Sequence, residues 1–117
     1  MQNLYSKFNS LINKKKTLLG VGPMSLNVID SSIELSDFYK APIMLIASRR
    51  QIDSSIYGGG YVNNWSTSQY SKYVRKKTKS GNIYLARDHG GPWQNNLDIK
   101  NKISEKDAML SAKKSFE

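Results

Sequence analysis

The run APIMLIAS, residues 41–48, is the stretch that decides the fold. It is a continuous apolar run of strand length with no polar alternation, a pattern typical of parallel strands covered on both faces. Two further short apolar runs, TLLGVG (17–22) and NIYLA (82–86), are interpreted as strands as well. The sequence therefore predicts three strands of a parallel sheet.

One helical pattern precedes the first predicted strand in the sequence, and another follows it. Residues 2–13 carry apolar side chains at the spacing i, i+4, i+7, i+8, which predicts a short amphipathic helix. A second helix is predicted to start at Pro23 and Ser25. Its predicted inner face consists of Leu26, Ile29, Ile33 and Phe38.

Two more helices are predicted from their start signals. Ser66 and Gln69 form an S-x-x-Q capping box, and Gly81 is the predicted end of the helix that follows. A last helix is predicted to begin around residues 104–107 and to run to the end of the chain. The predicted inner faces are Tyr70, Tyr73 and Val74 in the first of these helices, and Ala108, Met109, Ala112 and Phe116 in the second.

The resulting order is a helix followed by three strand–helix pairs, which predicts a parallel α/β architecture. Residues 49–65 and 90–103 are predicted to be long loops. The expected organisation is an N-terminal helix with a basic linker at 1–16, followed by a domain of about three βα units at 17–117. The apolar face of the last helix needs a further partner, as in the first part of a larger domain.

Charge and composition narrow the function classes. The chain has 18 basic and 9 acidic residues, a formal charge of +9, which favours phosphate-bearing partners. The basic clusters at 14–16 and 75–79 are not interleaved with the aromatic residues of a base-stacking surface, which favours solvated helix ends over a nucleic-acid partner. The net charge nevertheless keeps a small nucleic-acid-binding module as the alternative function. The absence of cysteine excludes disulfides and cysteine-based zinc sites. No apolar run has the length of a membrane span or of a signal-peptide core, so a cytoplasmic location without membrane partners is expected.

The candidate functional residues follow the predicted strands. In parallel α/β folds the working residues lie at the carboxyl ends of the strands. These ends carry small residues after the first strand and polar or cationic residues after the other two. The candidates are Ser48, Arg49, Arg50, Gln51, Arg87, Asp88, His89 and Gly90.

Asp88 and His89 have two interpretations. Asp88 is a candidate general acid or base, and His89, the chain's one histidine, is a candidate ligand for a divalent metal. Alternatively, Asp88 caps the following loop and His89 is simply exposed. One histidine cannot hold a metal alone, so the other ligands must be carboxylates or come from beyond this chain.

The arginines and the glycine-rich loop also have two interpretations. Arg49, Arg50 and Arg87 are candidates for bidentate contacts to phosphate or carboxylate, or they are ordinary surface residues. The three glycines of YGGGYVNNW (57–65) either offer amides to a phosphate or form a lid or plain turn. The aromatic residues Tyr57, Tyr61 and Trp65 either stack on a sugar ring or pin the loop to the fold.

Three segments together carry a family resemblance. APIMLIAS followed by GGGY, then IYLARDHGGP, and the helix MSLNVIDSSIEL are similar to the class II aldolases, most of all to the larger, accessory type of tagatose-bisphosphate aldolase subunit. The resemblance covers about residues 18–117. It implies a (β/α)₈ barrel of carbohydrate metabolism that acts on phosphorylated sugars.

The resemblance also implies roles for individual residues. Asp88 matches the acid/base of the D-H pair, His89 matches the ligand of a catalytic zinc or another divalent metal, and Ser48 matches a substrate-contacting serine. A full barrel needs about 250 residues, so the chain is expected to be the N-terminal portion of such a lyase. We expect it to be inactive alone, and to associate with itself or with a catalytic partner subunit.

Overall fold

The computed structural model describes residues 4–116, so the predicted helical positions 2–3 and the chain end at 117 lie outside the described residues. Within this range the protein is an α/β fold with a small parallel sheet. Its elements in chain order are α1 (Leu4–Asn13), β1 (Leu19–Val21), α2 (Leu26–Tyr39), β2 (Ile43–Ser48), a 3₁₀ turn (Ser55–Tyr57), α3 (Thr67–Lys77), β3 (Ile83–Asp88), α4 (Asn96–Lys100) and α5 (Glu105–Lys114).

The sheet has the order β1-β2-β3, and both strand pairs are parallel. The predicted parallel α/β class is thus confirmed at this coarse level. The register pairs Ile43 with Ile83 at the amino ends of β2 and β3, and Ser48 with Asp88 at their carboxyl ends. Neither outer edge, on β1 or on β3, pairs with another strand of the described chain.

The core lies between the sheet and the helices α2 and α3. Side chains on β2 alternate between buried and half-buried, because successive residues of a strand point to opposite faces. The buried set of β2 packs with side chains from α2, α3 and the loop after β2. The fully buried core consists of Ile29, Ile33, Leu45, Ala47, Ile52, Val62, Tyr70 and Val74.

Local capping signals position the helices as the sequence predicts. The Ser66 hydroxyl accepts from the Gln69 amide at 3.2 Å, and the Gln69 side chain accepts from the Ser66 amide at 2.8 Å. This reciprocal pair confirms the capping box of α3. Ser25 and Ser104 are likewise the N-caps of α2 and α5.

Several predicted boundaries are wrong. Strand β3 runs to Asp88, beyond its predicted end at residue 86, and the last helix ends at Lys114. Helix α3 ends at Lys77 and is capped by Thr78, so Gly81 does not close it and lies instead in the following loop with φ +66°. The segment 90–103 is not all loop, because α4 lies inside it with Asn95 as its N-cap. Five residues are too few to show a helical repeat in the sequence.

The predicted inner faces of α2 and α5 are also partly wrong. On α2, Leu26 and Phe38 are exposed, and the buried stripe is completed by Ser32 and Ser36. Their hydroxyls donate to the carbonyls of Val28 and Ala41, both at 2.7 Å, which satisfies them inside the core. On α5, the buried residues are Ala108, Ser111 and Ala112, whereas Met109 is exposed; Phe116 lies beyond the end of the helix and is exposed as well.

The described helices are all short or polar. None of them has the length and apolar character that crossing a bilayer requires.

Candidate functional site

The carboxyl edge of the sheet gathers most of the predicted functional residues. Ser48 ends β2 and Asp88 ends β3, and the register places them side by side. Both belong to the alternate set of strand positions that points away from the buried core of Leu45 and Ala47. Their side chains are therefore directed to the face of the sheet opposite that core.

A cavity of about 280 Å³ opens at this edge. It is lined by Ser48, Arg49, Arg50, His89 and Gln94. Asp88 adjoins it through His89. Gln94 was not predicted, because it lies in a segment without a strand or helix pattern.

Asp88 and His89 contact each other directly. The His89 backbone amide donates to Asp88 Oδ1 at 2.7 Å, and His89 Nε2 lies 3.6 Å from Asp88 Oδ2. About two thirds of each side chain is exposed. His89 also has φ 45°, a left-handed conformation that is strained for a residue with a Cβ. Asp88 therefore caps the turn, and the polar ends of both side chains are exposed.

Arg49 is not a surface residue. Its side chain has no exposed area, and all three guanidinium nitrogens are bonded inside the protein. Nε donates to Asp53 at 3.2 Å, Nη1 to Asp98 at 3.3 Å and Nη2 to Ser111 at 2.8 Å. Arg49 thus joins the loop after β2 to α4 and α5, and three of its five N–H donors are used inside the protein.

Arg87 is a second internal clamp. Its guanidinium donates to the Ser48 and Ile52 carbonyls, to Thr67 Oγ1 at 3.1 Å and to the Ser115 carbonyl at 2.9 Å. Burial lowers the pKa of Arg87, an effect that nearby Asp53 opposes. Arg87 therefore fastens the two strand ends to the start of α3 and the end of α5.

Of the three predicted arginines, Arg50 alone is exposed, and it lines the cavity together with the buried Arg49. Gln51 contributes locally, because its side-chain oxygen accepts from the Ser48 amide at 2.8 Å and so holds the end of β2. Gly90 is required by packing, since a Cβ there would come within 2.5 Å of the Arg87 side chain.

The glycine triplet does not present amides to a ligand. Gly58 donates to the Ser55 carbonyl, Gly59 to Ser54 and Gly60 to Trp65, each at 3.1 Å. A Cβ on Gly60 would collide with the backbone of Gln51 and Ile52. The triplet therefore allows the loop to pack tightly against the segment that follows β2.

The loop aromatics differ in their surroundings. Trp65 packs on Tyr73 and Tyr70, with ring centroids 4.7 and 6.2 Å apart, and so pins the loop to α3. Tyr57 lies 5.1 Å from the Arg49 guanidinium carbon. Tyr61 is 58% exposed and remains accessible at the loop surface.

The described residues do not form a complete metal site. Zinc needs at least three protein ligands in a catalytic site, and no group of three His, Asp or Glu side chains comes together between residues 4 and 116. Asp88 and His89 supply two at most. Any metal held there would need ligands that these residues do not provide.

The buried partners of Arg49 were missed from the sequence. Asp53 and Asp98 are almost fully buried, and Asn95 Nδ2 donates to Asp53 at 2.7 Å. The signal available in the sequence was the alternation of successive strand residues between the two faces of the sheet. Extended one step beyond Ala47, it places Arg49 on the covered face of the sheet, where a charged side chain requires buried partners.

Comparison of the chain with models of protein families, with curated proteins and with solved structures finds no match in any of the three.

Proposed function

We propose that the chain is a portion of an aldolase-like (β/α)₈ barrel protein of carbohydrate metabolism, and that its carboxyl edge contacts a phosphorylated sugar. The observation that supports this most is the juxtaposition of Ser48 and Asp88 at the carboxyl ends of neighbouring parallel strands, beside a cavity that His89 and Arg50 line. This is the edge at which parallel α/β proteins bind their ligands.

The proposed roles follow from accessibility. Arg50 is exposed at the cavity and would form charge-assisted hydrogen bonds with a phosphate. Ser48 would contact a sugar hydroxyl, and the exposed Asp88 carboxylate would exchange a proton with the substrate. Arg49 and Arg87 are positioning residues, because their donors hold the loop and strand ends in place.

The proposed site requires strands and metal ligands that the described residues do not supply. Three strands cannot close a barrel, and His89 with Asp88 cannot hold a metal unaided. The missing strands and ligands would come from further barrel units or from a partner subunit. In such an assembly this chain supports the reaction and does not carry it out alone.

A binding measurement tests the site. We expect a ketose bisphosphate to bind the isolated chain weakly, and Arg50→Ala and His89→Ala each to weaken binding by about tenfold, the loss of one charge-assisted contact. Ligand-observed NMR titration provides the dissociation constants. The matched control is Arg75→Ala, which removes an exposed arginine from the last turn of α3.

Equal weakening by Arg75→Ala would show a general charge effect and contradict the proposal, as would the absence of any binding. The isolated chain is expected to show no cleavage of ketose bisphosphates with added zinc. Turnover above that of a His89→Ala control would contradict the supporting role.

A further inference from the structure

A cavity larger than the one at the carboxyl edge lies at the opposite end of the sheet. Its volume is about 570 Å³, and it is bounded by the amino ends of the strands, by α1 and the segment after it, and by the end of α2. Cavities of roughly 300–1,000 Å³ are the usual size of small-molecule sites. Nothing in the proposed function uses this cavity.

Four lysines line the cavity, and no carboxylate does. They are Lys7, Lys14, Lys16 and Lys40. Within residues 4–116 none of the four is ion-paired, in contrast to Lys77, which pairs with Asp30. Lys7 lies 5.8 Å from the ring centroid of Tyr84, so its ammonium group is held over an aromatic wall of the cavity. The cavity therefore has a concentrated, uncompensated positive charge.

Hydrogen bonds fix the main-chain positions of three of these lysines. The amides of Lys14 and Lys16 donate to the Ser10 and Leu11 carbonyls at 3.1 and 2.9 Å, which continues the end of α1. Lys40 is the left-handed C-cap of α2, and its carbonyl accepts from the Asn82 side chain at 3.2 Å. The helix dipole favours lysines at helix C-termini. That preference does not explain why lysines from the ends of two separate helices line the same cavity.

The rest of the wall is mixed. Its apolar part consists of Leu11, Leu19, Leu35, Pro42 and Ile43, and its polar part of Ser6, Ser10, Thr17 and Asn82. A ligand that satisfies the whole cavity needs several negative charges at one end and a flat or apolar body at the other.

We propose that this cavity binds a phosphorylated small molecule of the nucleotide class, with its phosphates on the lysines and its base against the apolar wall. The inference is independent of the sugar-phosphate site, because the two cavities lie at opposite ends of the strands and share no lining residue.

Isothermal titration calorimetry with ATP, pyrophosphate and adenosine tests the proposal. We expect ATP to bind with a micromolar dissociation constant, pyrophosphate more weakly and adenosine most weakly. The double variant Lys14→Gln/Lys16→Gln should weaken ATP binding at least tenfold, about the loss of one or two charge-assisted contacts. The control Lys76→Gln/Lys79→Gln removes the same charge from residues outside the cavity and should change the affinity less than about threefold, as expected for screened charges.

Three results would overturn the proposal: no ATP binding by the intact chain, equal weakening by the two double variants, or tighter binding of a single-stranded RNA with equal loss in both variants. The last result would assign the lysines to a general nucleic-acid surface. Circular dichroism checks that each variant is folded. If the cavity double variant does not fold, the single variant Lys40→Gln provides the same comparison.

Discussion

Two neighbouring arginines show that a shift of one position in the sequence determines whether a side chain is buried or exposed. Arg49 is 1% exposed and bonded to Asp53, Asp98 and Ser111, whereas Arg50 is exposed at the candidate site. The strand alternation sends the first into the protein and the second outward. Their identical chemistry therefore serves stability in one case and the proposed ligand contact in the other.

Replacing Arg49 should strongly destabilise the fold. Arg49→Ala leaves Asp53 and Asp98 buried without their cation, which is expected to cost about 3–5 kcal/mol of the free energy of unfolding. That is a large part of the total of a typical domain, about 5–15 kcal/mol. Urea denaturation measures the change, and Arg50→Ala is the matched control, expected to change the free energy by less than about 0.5 kcal/mol. Similar values for the two variants would contradict the buried clamp.

Gly60 allows a test of the loop. Gly60→Ala puts a Cβ against the backbone of Gln51 and Ile52, so it should destabilise the fold by about 1–3 kcal/mol or more. Gly91→Ala is the control, because nothing lies within 4 Å of a Cβ there. Thermal unfolding distinguishes them, and a Gly60→Ala protein as stable as Gly91→Ala would exclude the tight packing described for the loop.

At the scale of elements, Asp37 joins α2 to the loop between α3 and β3. Its carboxylate accepts from the amides of Lys79 and Ser80 at 2.8 and 2.7 Å and from Thr78 Oγ1 at 3.1 Å. Hydrogen bonds from Ser80, then the Lys79 amide, lower the pKa of Asp37 far below its ordinary value. The ionised form is therefore the one that the fold stabilises.

The sign of the pH dependence follows. A lowered folded-state pKa adds stability above the unfolded pKa of about 3.9, and this stability is lost as the pH falls toward the folded pKa. Asp37→Asn should lower the melting temperature at pH 7, and its difference from the unmutated protein should shrink below about pH 4. Glu34→Gln, an exposed change on the same helix, is the control. A difference for Asp37→Asn that stays constant down to pH 2 would contradict this account.

Elements set by local chemistry were predictable, and those set by distant contacts were not. The Ser66 capping box and the apolar run of β2 involve neighbours in sequence, so their positions follow from the sequence itself. Helix α4 is held by Asp98, whose partners Arg49 and Ser111 lie far away in the chain. The candidate site divides in the same way, since the position of Ser48 and Asp88 follows from strand ends, while the burial of Arg49 and Arg87 depends on tertiary partners.

At the scale of the whole molecule, the outer edges of β1 and β3 are unpaired within the described chain. Such edges promote pairing between chains. On β3, Leu85 is 39% exposed and adds an apolar side chain to that edge. The formal charge of +9 opposes association, because like charges repel.

We expect the isolated chain to self-associate, and more strongly as salt screens its charge. Leu85→Lys should reduce association by placing a cation on the edge strand, whereas Met24→Lys, at an exposed loop position, adds the same charge and should act much less. Sedimentation velocity across a salt series measures both variants. A monodisperse monomer at high salt would contradict the prediction.

The contact between Arg49 and Ser111 spans 62 residues, which has a consequence for the order of events during synthesis. All three strands leave the ribosome before Ser111 does. Until then, the Arg49 side chain has no complete set of partners and favours staying in water. The nascent sheet thus carries a charge at the place where its core must close, and the final docking of α5 becomes a late step in folding.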